Sequence, residues 1–203
     1  VGSEMCIRDS LKSSEVEKYS DLMSESQHLV SADTLAAVNI PSVCRFLDVG
    51  GGKGTFVSEL KKIYPKVDAA VFDLPGSHSE TSGHRCIIGS FKEDELPAGY
   101  DIISLVRILY DHRDETIRDL LGKAYRALDK GGRLIVSEPM LGADRPTLWG
   151  DVYFAMYTLA MSTGKTRSPD QVSEFIKDAG FSNVTIHKSA RPFITTVIEA
   201  RKT

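Results

Sequence analysis

The chain has 203 residues, of which 41% are hydrophobic and 26% are charged, the composition of a globular protein with one sizeable core. Its net charge of −3, without a basic block, disfavours nucleic acid as a partner. No apolar run is long enough to span a bilayer and no secretory signal is evident, so we expect a cytoplasmic protein. Three scattered cysteines without a C-x-x-C pair indicate a reducing compartment and predict no metal site.

The first ten residues, VGSEMCIRDS, show no period that matches the rest of the chain. We expect residues 1–13 to be a non-native or disordered leader and residues 14–203 to form one domain. A helical pattern runs from Ser14 to Val30, and Ser31 is the predicted N-cap of a second short helix. Both helices should lie across the mouth of the site that follows. Plain packing explains most of their residues, and Met23 is the exception, as a soft lid over a ligand.

A glycine-rich turn dominates the sequence at residues 45–56, RFLDVGGGKGTF. An apolar run ends in an acid, glycines follow at alternate positions, and a helical pattern begins. This order predicts a strand, a tight turn and a helix start, the layout of a nucleotide-type cofactor site. Glycine permits positive φ and leaves no Cβ between the backbone and a ligand.

The details of this turn favour one cofactor over another. A dinucleotide site needs G-x-G-x-x-G, but Thr55 stands where the third glycine would be. A carboxylate at Asp48 would repel a pyrophosphate and suits a cation, which indicates S-adenosylmethionine, a sulfonium with an ammonium group and no phosphate. The next predicted strand ends at Asp73, which can accept both ribose hydroxyls. The alternative is a glycine turn flanked by two surface acids.

Further along, short strands alternate with helical patterns. A third strand at residues 85–88 leads into Ser90 and Phe91, which can border an adenine, although Phe91 fits a core position equally well. A fourth strand is predicted from Tyr100 to Val106. The helix after it should end at Lys130-Gly131-Gly132, before a fifth strand at residues 133–138.

The C-terminal part begins with an aromatic and methionine-rich helix at residues 149–161. It is a candidate substrate wall, and a core or dimer-interface role is equally compatible. Ser168 to Gln171 form a capping box with proline at the first helical position, and two final strands should pair antiparallel. These elements predict a doubly wound, Rossmann-like α/β fold, with a seven-stranded, mostly parallel sheet and one antiparallel edge strand.

Several motifs resemble those of class I S-adenosylmethionine-dependent methyltransferases, in particular the small-molecule O-methyltransferases that include the plant caffeate and acetylserotonin enzymes. The motifs are LDVGGGKG at 47–54, VFDLP at 71–75, LYDHRD at 109–114 and GKTRS at 164–168. Within that family, LVRILYDH at 105–112 and GDVYF at 150–154 are similar to the bacterial carotenoid branch, the hydroxyneurosporene and demethylspheroidene O-methyltransferases.

The resemblance and the turn chemistry together predict the site residues. We expect cofactor contacts from Asp48, Gly50, Gly52, Gly54, Asp73, Leu74, Ser90, Phe91, Arg107 and Met23. The substrate wall is predicted at Trp149, Tyr153, Tyr157 and Met161. The predicted catalytic residues are His112, Tyr110 and Glu138.

The sequence departs from the plant enzymes at several of these positions. Tyr110 stands where they have a histidine base, and His112 follows two residues later. Of the two glutamates that orient the plant histidine, one is kept as Glu138 and the other is Thr166. We therefore predict that His112 accepts the proton, directly or through water, while Tyr110 positions the acceptor; the alternative for His112 is a solvated helix-entry residue. Ser90 replaces an acid that meets the adenine amine.

The resemblance also implies a wider context. Full-length family members carry an N-terminal helical domain that forms a homodimer, and we expect this chain to be the catalytic domain without it. The predicted partner is a small apolar hydroxylated substrate, with possible loose membrane association through that substrate. Two alternatives are an inactive S-adenosylmethionine-binding or interaction module and, less favoured, a nicotinamide-dependent oxidoreductase.

Overall fold

The computed structural model describes residues 26–76, 84–142, 148–161 and 164–203. Seven strands form one sheet in the order β3-β2-β1-β4-β5-β7-β6. The strands are β1 Arg45–Val49, β2 Asp68–Asp73, β3 Arg85–Ile88, β4 Tyr100–Val106, β5 Leu128–Glu138, β6 Ser182–His187 and β7 Thr196–Arg201. The helices are α1 at residues 26–37, α2 Thr55–Ile63, α3 Asp114–Ala127, α4 Leu148–Met161 and α5 Pro169–Asp178, with a 3-10 turn at Leu109–Asp111.

The predicted doubly wound fold is confirmed. Strands β1 to β5 run parallel, and β7 pairs antiparallel with both β5 and β6. The reversed strand therefore lies one position inside the sheet edge, and β6 closes that edge. Because the chain order reverses between β1 and β4, a crevice opens at the carboxyl ends of these strands, where open α/β sheets bind ligands.

Two apolar layers cover the sheet, one on each face. Alternate strand residues point to opposite sides, so Leu47 belongs to the layer under α3 and α5, while Phe46 belongs to the layer under α1 and α2. The first layer includes Leu120 and Ile176, and the second includes Leu60. Nearly all these side chains are fully buried, which fixes the heights of the strand ends relative to one another.

Two predicted boundaries are wrong, and both have local causes. Helix α1 continues without a break across Ser31, whose hydroxyl donates to the Gln27 carbonyl at 2.7 Å instead of capping a new helix. Helix α3 ends at Ala127, before the predicted stop, and β5 begins at once at Leu128. The amide of Gly131 donates to the Lys202 carbonyl, so the predicted turn is absorbed into the sheet.

Within the described ranges, the structure contains no helix of the length and apolarity that a membrane crossing requires.

Candidate active site

The glycine turn joins β1 to α2 at the carboxyl edge of the sheet. Gly50, Gly52 and Gly54 all have positive φ, at 71°, 55° and 76°. A Cβ built on Gly50 would come within 2.3 Å of the Ile108 side chain, whereas a Cβ on Gly52 would meet nothing within 4 Å. The turn is therefore packed from below at Gly50 and open at Gly52, which leaves bare backbone facing the crevice.

Asp73 ends β2 beside this open backbone. Its Oδ2 accepts from the Gly52 amide at 2.6 Å and its Oδ1 accepts from the Leu74 amide at 2.6 Å. Each carboxylate oxygen keeps a further acceptor position, so Asp73 can still accept from a vicinal diol. Leu74 is 46% exposed, and Ile88, which pairs in register with Asp73, is 55% exposed. Exposed apolar side chains beside a polar acceptor suit a nucleoside, whose sugar is polar and whose base is flat.

Asp48 lies beneath the turn rather than on its surface. It is 1% exposed, and its Oδ1 accepts from the Ser104 hydroxyl at 2.6 Å. Its Oδ2 has no hydrogen-bond partner in the described part of the chain, and it lies against Gly51. Burial raises the pKa of Asp48 to about 7. The ionised form of a buried, incompletely paired acid below the turn is favoured by a cation nearby and disfavoured by an anion, and a direct contact between Asp48 and the cofactor stays a prediction.

A second wall of the crevice is formed by Phe91 and His112. Their rings meet edge to face, with centroids 5.2 Å apart and planes at 72°, and Phe91 approaches the Gly50 position to 4.0 Å. Phe91 is thus partly buried and packed against the core, and its contact with an adenine stays a prediction. Ser90 begins a turn in which its amide donates to Asp94 and its hydroxyl accepts from the Lys92 amide at 3.3 Å.

The loop after β4 holds both predicted acceptor-side residues, and Glu138 organises it. Glu138, at the end of β5, is 1% exposed. Its carboxylate accepts from the amides of Ile108 at 2.8 Å, Leu109 at 2.7 Å and Tyr110 at 3.4 Å. Glu138 stands in the place of a glutamate that orients the histidine of the plant enzymes; in this chain it caps the backbone of the 3-10 turn, and its catalytic role stays a prediction. Burial raises the pKa of Glu138 to about 7, although the amide donors offset part of that rise.

Tyr110 points toward α4. It is 3% exposed, and its ring lies 5.8 Å from that of Tyr157 and 6.2 Å from that of Phe154, centroid to centroid. Burial raises the pKa of Tyr110 well above its usual range, and a hydrogen bond with Tyr157 offsets little of that rise. The phenol therefore stays protonated, so it can donate a hydrogen bond and cannot act as a base.

The predicted substrate wall on α4 is only partly assembled around Tyr110. Tyr157 faces it, as expected, but Tyr153 is 63% exposed and packs its edge on Phe154. Phe154, which the sequence analysis did not single out, takes the inner position. Trp149 and Met161 belong to α4, and their side chains lie outside the described residues, as does the whole of Met23.

The side chains of His112 and Tyr110 leave the loop on different sides. The His112 ring packs on Phe91, whereas the Tyr110 ring packs on α4. Burial, followed by the nearby charges of Lys92 and Arg167, lowers the pKa of His112 to about 4. The imidazole is therefore neutral at physiological pH but weakly basic. Its ring is partly buried against Phe91 rather than fully solvated, and its role as proton acceptor stays a prediction.

Arg107 bends the chain at the end of β4. It has a φ of 60°, in the left-handed region, which is uncommon for a residue with a side chain and marks a constrained site. Its guanidinium donates to the Ser26 hydroxyl at 3.0 Å, so the described start of α1 reaches the crevice mouth, as predicted for this helix. A direct cofactor contact by Arg107 stays a prediction.

Among the described residues, no group of three or more His, Cys, Asp or Glu side chains is arranged to hold a metal ion. The site is instead a glycine turn, two acids at strand ends, an aromatic wall and a buried phenol. Fold and site together define a class of proteins that hold a nucleoside-bearing ligand at the crevice of a doubly wound sheet where the strand order reverses.

Comparison with known proteins identifies the family. The model of a family described as O-methyltransferase domain matches residues 5–182, and this chain belongs to that family. The resemblance predicted from the motifs is thereby confirmed.

Two curated relatives carry the name demethylspheroidene O-methyltransferase. The protein of Rhodobacter capsulatus is 46% identical over 190 residues, which cover 92% of this chain and 48% of the relative. The protein of Cereibacter sphaeroides is 42% identical over 193 residues, which cover 90% and 51%. This chain thus spans about half the length of the curated relatives it matches.

A solved structure of human N-acetylserotonin methyltransferase in complex with SAM superposes with a TM-score of 0.80 at 28% identity. The match covers 91% of this chain and 55% of the human chain. The predicted fold is confirmed by this likeness, and the nicotinamide alternative is not favoured.

Proposed function

We propose that this chain is the catalytic part of an S-adenosylmethionine-dependent O-methyltransferase that methylates a hydroxyl of an apolar small molecule, with a hydroxycarotenoid as the first candidate. The observation that carries the proposal is the open Gly52 backbone between Asp73 and the buried acid Asp48. The candidate substrate comes from the two relatives named demethylspheroidene O-methyltransferase.

The residues of the turn fit the cofactor group by group. Asp73 keeps acceptor capacity for the ribose hydroxyls, and Leu74 and Phe91 offer apolar surface to the adenine. Asp48, whose Oδ2 lacks a partner among the described residues, favours the positive charges of the methionine part. The bound cofactor supplies an electrophilic methyl group on a positively charged sulfur.

On the acceptor side, the protein has to orient one hydroxyl and exclude water, since alignment supplies much of the rate of a displacement reaction. Tyr110 does both in this proposal. Its protonated phenol donates a hydrogen bond that positions the acceptor oxygen, and its buried ring, packed with Phe154 and Tyr157, keeps the region dry. These aromatic side chains suit a long apolar molecule.

The fate of the acceptor proton follows from the acidity of the acceptor. An aliphatic hydroxyl is weakly acidic and loses its proton only as the new C–O bond forms. His112 is neutral above a pKa of about 4, so it is able to accept that proton directly or through water. Arg107, next to this loop, is proposed as a further contact of the cofactor, as are Ser90 and Met23.

The whole protein is proposed to be a homodimer that meets its apolar substrate at a membrane surface. This part of the proposal rests on the family resemblance, which implies an N-terminal helical domain that forms a homodimer, and on the apolar character of the proposed substrate. The alternative of an inactive binding module, raised by Tyr110 in place of the histidine base of the plant enzymes, is not favoured by the match to the O-methyltransferase family and to relatives named O-methyltransferase.

A methyl-transfer assay tests the proposal. The protein is incubated with methyl-labelled S-adenosylmethionine and three acceptors: a hydroxycarotenoid, a simple phenol, and a carotene without a hydroxyl as control. We expect label in the hydroxycarotenoid and none in the carotene. Cofactor binding without transfer to any acceptor supports the binding module instead.

A further inference from the structure

We propose that Arg167 is a positioning residue, which holds the loop bearing Tyr110 and His112 in its working shape by binding the carbonyl oxygens of that loop. The inference rests on the proposed function, because it assigns a residue to the acceptor loop of that site.

Arg167 is buried, with a side-chain exposure of 3%, and uses its whole donor set. Nη1 donates to the carbonyls of Lys165 at 2.7 Å and Leu109 at 3.2 Å. Nη2 donates to the His112 carbonyl at 2.9 Å, and both Nε and Nη2 donate to Asp114. Five N–H groups thus make five bonds, the full capacity of a guanidinium. Such a buried cation is tolerated because every donor is satisfied.

The loop is held from both ends by opposite charges. Glu138 accepts from the amides at the start of the 3-10 turn, and Arg167 donates to carbonyls at Leu109 and His112. A helical turn leaves amides unpaired at its start and carbonyls unpaired at its end. The carboxylate thus satisfies amides at the start of the turn, and the guanidinium satisfies the His112 carbonyl after its end; the Leu109 carbonyl accepts both from Arg167 and from the His112 amide within the turn. Between them the two side chains fix the backbone on either side of Tyr110.

The segment that carries Arg167 is pressed against the same loop. The Lys165 amide donates to the Tyr110 carbonyl at 2.9 Å, and a Cβ on Gly164 would lie 2.1 Å from that oxygen. The Arg167 carbonyl accepts from the Leu141 amide at 2.9 Å. Arg167 therefore lies on a backbone that has little freedom to adjust. When its guanidinium is lost, this backbone cannot move to bring another donor into place, and the loop is released.

Lysine cannot replace this geometry. An ammonium offers three donors from one point, whereas a planar guanidinium spreads five over a rigid fork. An R167K variant keeps the charge but cannot reach Leu109, His112 and Asp114 together. The loop should then fluctuate, and misplacement of a reacting group by about 1 Å costs on the order of 100-fold in rate.

The matched control is Arg118. It lies over the same Phe175 ring as Arg167, at 4.4 Å against 5.8 Å, and pairs with Asp178 at 2.7 Å on the surface. An R118K variant therefore replaces arginine by lysine against the same Phe175 ring, and the hydrogen bond it alters leads to Asp178 rather than to the loop.

Two measurements report on the conformation of the loop in both variants. The first is steady-state turnover with S-adenosylmethionine and the preferred acceptor; the second is the titration of His112 by NMR, assigned by comparison with H112A. For R167K we expect kcat to fall by about 10- to 100-fold, with a smaller change in cofactor KM, and the His112 pKa to rise from about 4 toward its ordinary value. R118K should match the parent in both.

A folded R167K with parental kcat and an unchanged His112 titration overturns the inference. If R167K does not fold, D114N takes its place, because it removes the carboxylate charge that orients the guanidinium, so that the fork no longer holds the carbonyls of Leu109 and His112 firmly. A kcat unchanged in D114N then overturns the inference in the same way. The proposed function fails separately, when the parent itself transfers no methyl group, and the His112 titration remains a test of Arg167 in that case.

Discussion

Replacing Gly52 by alanine tests whether its backbone faces the cofactor, provided that the loss of stability caused by alanine at a positive φ is measured separately. A Cβ on Gly52 meets no protein atom within 4 Å, and the same is true of Gly131 at the amino end of β5. Both residues have positive φ, at 55° and 79°. Alanine in the left-handed region costs about 1–2 kcal/mol, so G52A and G131A should lose similar stability, seen as a Tm drop of roughly 2–8 °C.

The two variants should differ in cofactor affinity. A ligand atom in contact with the Gly52 backbone lies at about 3.5–4 Å, which is the space an added methyl group fills. We expect G52A to bind S-adenosylmethionine at least about tenfold more weakly, a loss of about 1.4 kcal/mol, and G131A to bind it normally. Thermal unfolding and isothermal titration calorimetry measure the two quantities. Normal cofactor affinity in a folded G52A would refute the assignment of the open Gly52 face to the cofactor.

Three further predictions concern the charged and aromatic residues of the site. Because the pKa of Asp48 is raised to about 7 from 3.8, the folded state keeps a proton that the unfolded state gives up, and stability falls as pH rises from about 4 to 7. A bound cation favours the ionised acid, so cofactor affinity should rise as pH increases toward 7 and level off above it; calorimetry of D48N should show no such dependence. Y110F, which keeps the buried ring and removes the donor, should lower kcat with cofactor Kd nearly unchanged; equal losses in both would place Tyr110 at the cofactor instead. H112A should slow turnover if the imidazole accepts the proton, and because the pKa of His112 is about 4, the imidazole is neutral throughout the physiological pH range; parental kcat in H112A removes His112 from the mechanism.

The parallel strands were predictable because the residues within each strand, and the residue directly after it, indicate its bounds. The predicted bounds Arg85–Ile88 and Tyr100–Val106 agree with β3 and β4, since an apolar run ends at Gly89 in the first case and at Arg107 in the second. The capping box at Ser168 is also confirmed, with both reciprocal bonds present. Such signals are local, so the sequence alone contains them.

The wrong boundaries arise where contacts between residues far apart in the sequence determine where an element begins or ends. Ser31 carries the same hydroxyl whether it caps a helix or bonds back to the preceding turn, and the packing of α1 on the sheet selects the second. At Gly131 the deciding partner is Lys202, at the far end of the chain, which no local pattern reveals.

The site shows the same division. The acids at Asp48 and Asp73 were predictable because they end apolar runs, whereas the capping of the loop by Glu138 depends on a fold that brings β5 beside it. Helix α4 is apolar on all sides, so its sequence gives no face, and Phe154 could not be chosen over Tyr153. Arg167 belongs to the GKTRS motif, but only the structure reveals the five hydrogen bonds that its guanidinium donates.

The central claim is that a buried acid below the glycine turn selects a cation over a diphosphate. Parallel calorimetric titrations of the chain with S-adenosylmethionine and with NAD test it most directly. We predict one saturable site for S-adenosylmethionine and no detectable heat from NAD. Saturable binding of NAD, or no binding of S-adenosylmethionine at millimolar concentration, would contradict it.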